Sequence, residues 1–142
     1  MRTIKLAIAW SFGVALALPV AIAVAQSSMP DERILGDVTY VSGGAAAAEA
    51  NALRDAASRY PLAIEMRSRD ALPGEYVADA QVGIRDAQGN SVFNTVVDGP
   101  ILLAKLPPGV YTVVARWKGT LIQQTVDLTR PTTQQVLLEF AR

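Results

Sequence analysis

The chain predicts a mainly-β fold: an antiparallel β-sandwich of about seven strands with one covering α-helix, behind an export leader. Three observations carry this. Short runs of alternating apolar and polar residues recur from residue 62 to the end, with turn residues between them every 8–12 positions. One stretch near residue 50 instead has apolar residues spaced for a helix. The first 25 residues contain a long apolar run, interrupted only by Ser11, Gly13 and Pro19, that fits neither pattern.

That leader is taken first. Arg2 and Lys5 precede an uncharged stretch from Leu6 to Ala25 that closes on Ala23-Val24-Ala25. A basic start, an apolar run and a small-x-small end are the features a signal peptidase reads. The expectation is cleavage between Ala25 and Gln26, with Ala23 and Ala25 as the recognised small residues; the alternative is an uncleaved anchor. No cysteine follows the apolar run, so lipid modification of a bacterial lipoprotein kind is not expected. The implied location is the periplasm or the outside of a bacterial cell.

Without residues 1–25, 117 of the 142 residues remain, and the 13 basic residues fall to 11 against 13 acidic ones. That formal charge of −2 gives no electrostatic footprint for nucleic acid or an anionic membrane. The length suits one domain. With no cysteine, its core must hold by packing without disulfides.

Residues 26–34, polar and containing Met29-Pro30, predict a flexible arm. Residues 35–142 form the single predicted domain. Leu35 to Val41 is a first strand, turned at Ser42-Gly43-Gly44. Ala46, Ala50, Leu53, Ala57 and Tyr60 mark one face of a helix over 45–59, which Pro61 stops. Because that face is mostly alanine, the helix is expected to lie close against a sheet as a cover. Leu62, Ile64 and Met66 alternate with Ala63, Glu65 and Arg67 in a half-buried strand, and 68–75 is a polar loop with Pro73-Gly74.

From Tyr76 onward the pattern is all strand. Gln81–Arg85 points Val82 and Ile84 inward, and Asp86 to Asn90 makes a hairpin loop with Gly89. Ser91–Val97 follows, with Phe93 on the face opposite Val92 and Val96 and so a candidate for exposure. Asp98-Gly99-Pro100 turns into Ile101–Leu106. The stretch from Asp98 to Gly119 then reads as a hairpin: a strand, the Pro107-Pro108-Gly109 turn, and Val110–Trp117 with Tyr111, Val113, Ala115 and Trp117 on one face. Gly119 leads into Thr120–Leu128, Pro131 breaks that strand, and Gln134–Phe140 closes the chain with Val136, Leu138 and Phe140 inward.

These residues resemble the bacterial carboxypeptidase-regulatory-like domains, which share the transthyretin-like (prealbumin-like) β-sandwich. The likeness rests on Val82, Ile84, Asp86 and Gly89, then on Asp98-Gly99, Leu103, Leu106-Pro107-Pro108-Gly109, Tyr111, Val113 and Gly119. It covers about residues 79–140, so residues 76–142 are the expected family-like core and 35–75 a strand-helix-strand extension. Residues 37–75, with the helix, depart from the family's minimal pattern. The resemblance implies a fold and little about activity, since sandwich domains host unrelated functions.

Histidine and cysteine are both absent, which removes Ser-His-Asp and Cys-His catalysis and His- or thiolate-bound metals. A Ser-Lys hydrolase would have to use Lys105 or Lys118, and neither has a serine near it in sequence. Asp70, Glu75 and Asp79, around Pro73-Gly74, are candidate calcium ligands because hard cations prefer carboxylates. The plainer reading is a solvated loop balanced by Arg67 and Arg69. Asp86 and Asp98 stand before turns, where an aspartate usually accepts hydrogen bonds from its own backbone. Tyr76, Phe93, Tyr111, Trp117 and Phe140 offer either a sugar-stacking platform or ordinary core packing. The amides of Ser42-Gly43-Gly44 offer an anion site or simply a chain reversal.

The expectation for function is an exported, non-enzymatic sandwich that binds another protein or an envelope component, with no cofactor and no membrane span after cleavage. The alternatives are a carbohydrate- or peptide-binding accessory domain and a hydrolase of unfamiliar type.

Overall fold

The computed structural model describes residues 13–23 and 28–141. The cleavage residues Ala25 and Gln26 lie outside the described residues. Residues 13–23 form no helix or strand, and Val14, Leu16, Leu18, Val20 and Ile22 are each 81–85% exposed. Among the described residues, no helix is long and apolar enough to cross a membrane.

Among the described residues, nine strands and one α-helix follow, against the about seven strands expected. In chain order they are β1 (Arg33–Leu35), β2 (Val38–Gly43), α1 (Ala47–Ala56, continued by a 3-10 turn Ala57–Arg59), β3 (Leu62–Ser68), β4 (Gln81–Arg85), β5 (Ser91–Val96), β6 (Ile101–Lys105), β7 (Val110–Trp117), β8 (Thr120–Asp127) and β9 (Gln134–Phe140). One sheet has five strands in the order β1-β2-β6-β3-β9, the other four in the order β5-β4-β7-β8. All pairs are antiparallel except β3 with β9, which run parallel.

The main core lies between the sheets. Leu62, Ile64 and Met66 of β3, Val82 and Ile84 of β4, Tyr111, Val113, Ala115 and Trp117 of β7, and Val136, Leu138 and Phe140 of β9 all point into it, as their alternation predicts. A smaller core lies on the other side of the five-stranded sheet. There Ala50, Leu53, Ala56, Ala57 and Tyr60 pack on Val41, Ala63, Ile101 and Leu103. The helix is thus the expected cover, and its alanines bring it close to the sheet. β6 explains itself in the same way. Its run Ile101-Leu102-Leu103-Ala104 is apolar throughout because both of its faces are covered.

The stretch from Asp98 to Gly119 is not a hairpin. β6 pairs with β2 and β3 in one sheet, while β7 pairs with β4 and β8 in the other. Leu106-Pro107-Pro108-Gly109 therefore carries the chain across the core from sheet to sheet. Turn chemistry marks a reversal but not whether the two strands pair. Tyr111 fixes the corner by donating its hydroxyl hydrogen to the Pro107 carbonyl at 2.7 Å. Gly109 does not have a positive φ, and a Cβ there would make ordinary contact with the Tyr111 ring at 3.4 Å. The true hairpin is β7–β8, where Lys118 (φ 46) and Gly119 (φ 78) form a two-residue turn whose twist suits the strands.

The arm over 26–34 is not wholly free either. Arg33–Leu35 pairs with β2, Met29 packs on the helix-side core, and Glu32 accepts hydrogen bonds from Tyr60 Oη and from Lys105 Nζ at 2.9 Å. The polar composition that suggests flexibility supplies the docking contacts.

Candidate functional site

The helix covers only part of the five-stranded sheet. Beyond its edge an open groove of about 510 Å³ runs between α1 and the outer side of β3 and β9. Leu53 and Ala57 form its helix wall, Ala63, Glu65 and Arg67 its floor, and Gln135 and Leu137 its far side. Leu137 is 46% exposed there. The charges of the groove are matched internally. Arg54 meets Glu65 at 2.6 Å, and Arg67 and Arg69 meet Glu139 at 2.7 and 3.7 Å. The hydrogen bond from Arg67, together with its charge, holds the Glu139 carboxyl below its ordinary value.

The groove ends at β9, an edge strand. Gln134 donates its N–H to the Pro61 carbonyl, and the Phe140 carbonyl accepts from the Arg69 N–H. Residues of that parity therefore face β3. Alternation along the strand turns the N–H and C=O of Gln135, Leu137 and Glu139 away from the sheet. The other edges are less suited to a partner. β1 has three residues, β5 has a register irregularity opposite Ile84 and Arg85, and the middle of β8 exposes Gln123, Gln124 and Thr125.

The sequence candidates fall elsewhere. Among the described residues, no three acidic side chains converge as a metal site would need. Glu75 accepts from the Leu72 N–H at 3.0 Å and pairs with Lys118 at 3.7 Å. Asp70 is likewise engaged, and Asp79 holds a positive-φ backbone position. Asp86 has the expected turn role, accepting from the Gln88 and Asn90 N–H groups at 3.0 and 2.8 Å. Asp98 does not follow suit: its carboxylate pairs with Arg33 at 2.8 Å, and its own N–H donates to Ser42 Oγ at 3.3 Å. Gly99 serves close approach, since a Cβ there would sit 2.4 Å from the Gly43 carbonyl oxygen.

Of the Ser42-Gly43-Gly44 amides, that of Gly44 meets an internal carboxylate: Glu49 accepts from the Gly44 N–H at 2.6 Å, where an outside anion was conceivable. Phe93 is buried, at 2% exposure, and it is Val96 that faces water. The strand's parity is the reverse of the exposed-Phe93 expectation, since Phe93 stacks edge-on with Tyr40. Tyr111 and Trp117 are each only 6% exposed, and Trp117 donates its Nε1–H to the Ala78 carbonyl. These three rings therefore form no stacking platform.

Both candidate lysines are tied to carboxylates. Lys105 bonds to Glu32 and lies 5.1 Å from the Tyr60 ring centre, and Lys118 pairs with Glu75. The Tyr60 hydroxyl is pushed up to about 12, first by burial and then by its hydrogen bond to Glu32.

No protein-family profile matches this chain, and no curated protein is significantly similar to it. Sequence reasoning passed over two features. The first is the run Ile101–Ala104, whose lack of alternation signals a strand covered on both faces. The second is Gly83, a glycine inside an otherwise regular strand pattern.

Proposed function

We propose that this chain is exported to the bacterial periplasm or beyond and acts without catalysis, as an interaction module that takes an extended segment of a partner protein alongside β9. The observation that carries this is the edge itself. Gln135, Leu137 and Glu139 direct their backbone groups off the sheet, next to an exposed leucine and an open groove. A strand added there gains main-chain hydrogen bonds along the edge and places an apolar side chain over Leu137.

Residues 13–23, the described part of the leader, support export, because Val14, Leu16, Leu18, Val20 and Ile22 are exposed and take no part in either core. The carboxypeptidase-regulatory-like resemblance of residues 79–140 suits this role, since it implies a scaffold more than an activity. The hydrolase reading has less support. Each of the described cavities is lined by at most one carboxylate.

The test is retention of envelope proteins on the immobilised chain. Leu137→Lys places a charge on the edge, and Gln135→Pro removes an outward N–H without touching the β3 ladder. We expect both to abolish retention of a protein that the parent chain holds, with the thermal midpoint nearly unchanged. Equal retention by the parent and both variants, or no retained protein at low and moderate salt, would sink the reading.

A further inference from the structure

Among the described residues, nothing covers the outer face of the four-stranded sheet. Reading across its register, Gln81, Gly83 and Arg85 of β4 lie beside Arg116, Val114 and Thr112 of β7. Val96, Asn94 and Ser91 flank them on β5. A shallow trough of about 300 Å³ opens at Gly83.

Three features of this face bear on a ligand. First, Gly83 sits inside a central strand, paired on both sides, with the β4–β5 register irregularity beginning one residue later at Ile84. Its φ is not positive, and a Cβ there would come no closer than 3.9 Å to any atom. Any β-branched residue would fit and would make a better strand. A strand glycine without a conformational reason marks a place where something outside approaches the backbone closely. Second, Arg85 and Arg116 border the trough, and among the described residues neither lies in an ion pair, whereas Arg54, Arg67 and Arg69 on the opposite outer face do. Third, Gln81 and Asn94 present amides beside the glycine, joined to each other at 3.3 Å.

The two arginines are four residues apart in register, because Arg85 is level with Thr112 and Gln81 with Arg116. That is roughly 13 Å along the strands at about 3.3 Å per residue. Residues four apart on an extended chain point to the same side, so two carboxylates at that spacing reach both guanidinium groups at once. A polypeptide backbone then crosses Gly83, where its peptide groups meet the Gln81 and Asn94 amides. No aromatic side chain lies on this face to stack a sugar ring, which favours a peptide over an anionic glycan.

We infer that this face is a second binding site, separate from the β9 edge, for an extended acidic polypeptide segment with two carboxylates four residues apart, laid over Gly83 between Arg85 and Arg116.

The test uses the chain exported and processed from its own leader, and a synthetic peptide of about ten residues. The peptide is serine, threonine and valine with two glutamates four apart. We expect titration to shift the amide resonances of Gly83, Asn94 and Val114, and to do so less as salt rises. The peptide with glutamines for glutamates binds about tenfold more weakly, and Arg85→Gln or Arg116→Gln each costs about two- to fivefold. Gly83→Val abolishes the shifts while the thermal midpoint holds or rises by about 2–4 °C, because the valine fills the trough without disturbing the strand. Four results would each overturn the proposal: no localised shifts at millimolar peptide, equal binding of the glutamine peptide, full binding to Gly83→Val, or shifts from polygalacturonate but not from the acidic peptide. Because Leu137→Lys lies on the other sheet, it leaves this titration unchanged, so failure here is separable from failure at β9.

Discussion

The two outer faces of the sandwich are finished in opposite ways. Over the five-stranded sheet, α1 buries Val41, Ala63, Ile101 and Leu103, and Arg54 of the helix and Arg67 and Arg69 beside it each meet a glutamate. Among the described residues, nothing is laid over the four-stranded sheet and Arg85 and Arg116 pair with no carboxylate, and a glycine occupies the centre of β4. One face satisfies itself and adds stability; the other leaves its hydrogen-bonding and charged groups to water or to a partner. A cover of alanines over a wholly apolar strand is a packing device. An uncovered face of mixed polar and apolar residues around a glycine with room for a Cβ is not such a packing device.

The comparison breaks first at Leu53, which is fully buried under the helix. Leu53→Ala is expected to cost about 2–5 kcal/mol in urea unfolding, by loss of burial and by the cavity left behind. A loss below about 1 kcal/mol would mean that the helix is a loose cover. Two glycines give the next and sharper contrast. Gly99→Ala drives a Cβ into the Gly43 backbone and is expected to cost about 1–3 kcal/mol. Gly83→Val meets no obstacle and is expected to add about 0.5–1 kcal/mol. If both destabilise equally, Gly83 has a structural purpose after all.

Acid comes next. Glu32, bonded to Tyr60 and Lys105, and Glu139, bonded to Arg67, both have folded-state pKa values below the ordinary 4.5. Their contribution is present above that value and is lost as pH falls through the lower folded values. The urea midpoint should therefore drop as pH goes below about 4.5, and Glu139→Gln should blunt the drop. An unchanged acid limb in that variant would show that the Arg67 pair adds nothing. The smallest effect is expected at Arg116→Gln, within about 0.5 kcal/mol of the parent in the same assay. A larger loss would reveal a structural partner for that guanidinium.

Much of the fold is legible in the residues. The alternation of Leu62, Ile64 and Met66, of Tyr111 to Trp117 and of Val136 to Phe140 gives the inner faces correctly, because a period of two admits only two sides. The helix near residue 50 is legible for the same kind of reason, from its stripe. The failures are also specific. Phe93 reads as a candidate for exposure because Val92 and Val96 compete for the same core, and the register irregularity opposite Ile84 and Arg85 hides the parity of β5. The corner at Pro107-Pro108-Gly109 looked like a hairpin because prolines and glycine mark any reversal. Of the candidate sites, Gly83 was visible but unremarked, while the β9 edge was not visible at all.

By itself the sequence determined most of the strand segments (though not β1, in the expected arm), where the helix lies, which side chains are apolar enough to be buried, and which chemistries lack their residues. Those properties are local, set by periodicity, turn residues and composition. Only the tertiary structure decided that β6 and β7 part into different sheets, that β3 and β9 run parallel, that Asp98 reaches Arg33, and that Arg85 and Arg116 share a bare face around Gly83. Each of these depends on which strands lie side by side. Partner choice is settled by packing between residues far apart in the chain, and no local pattern encodes it.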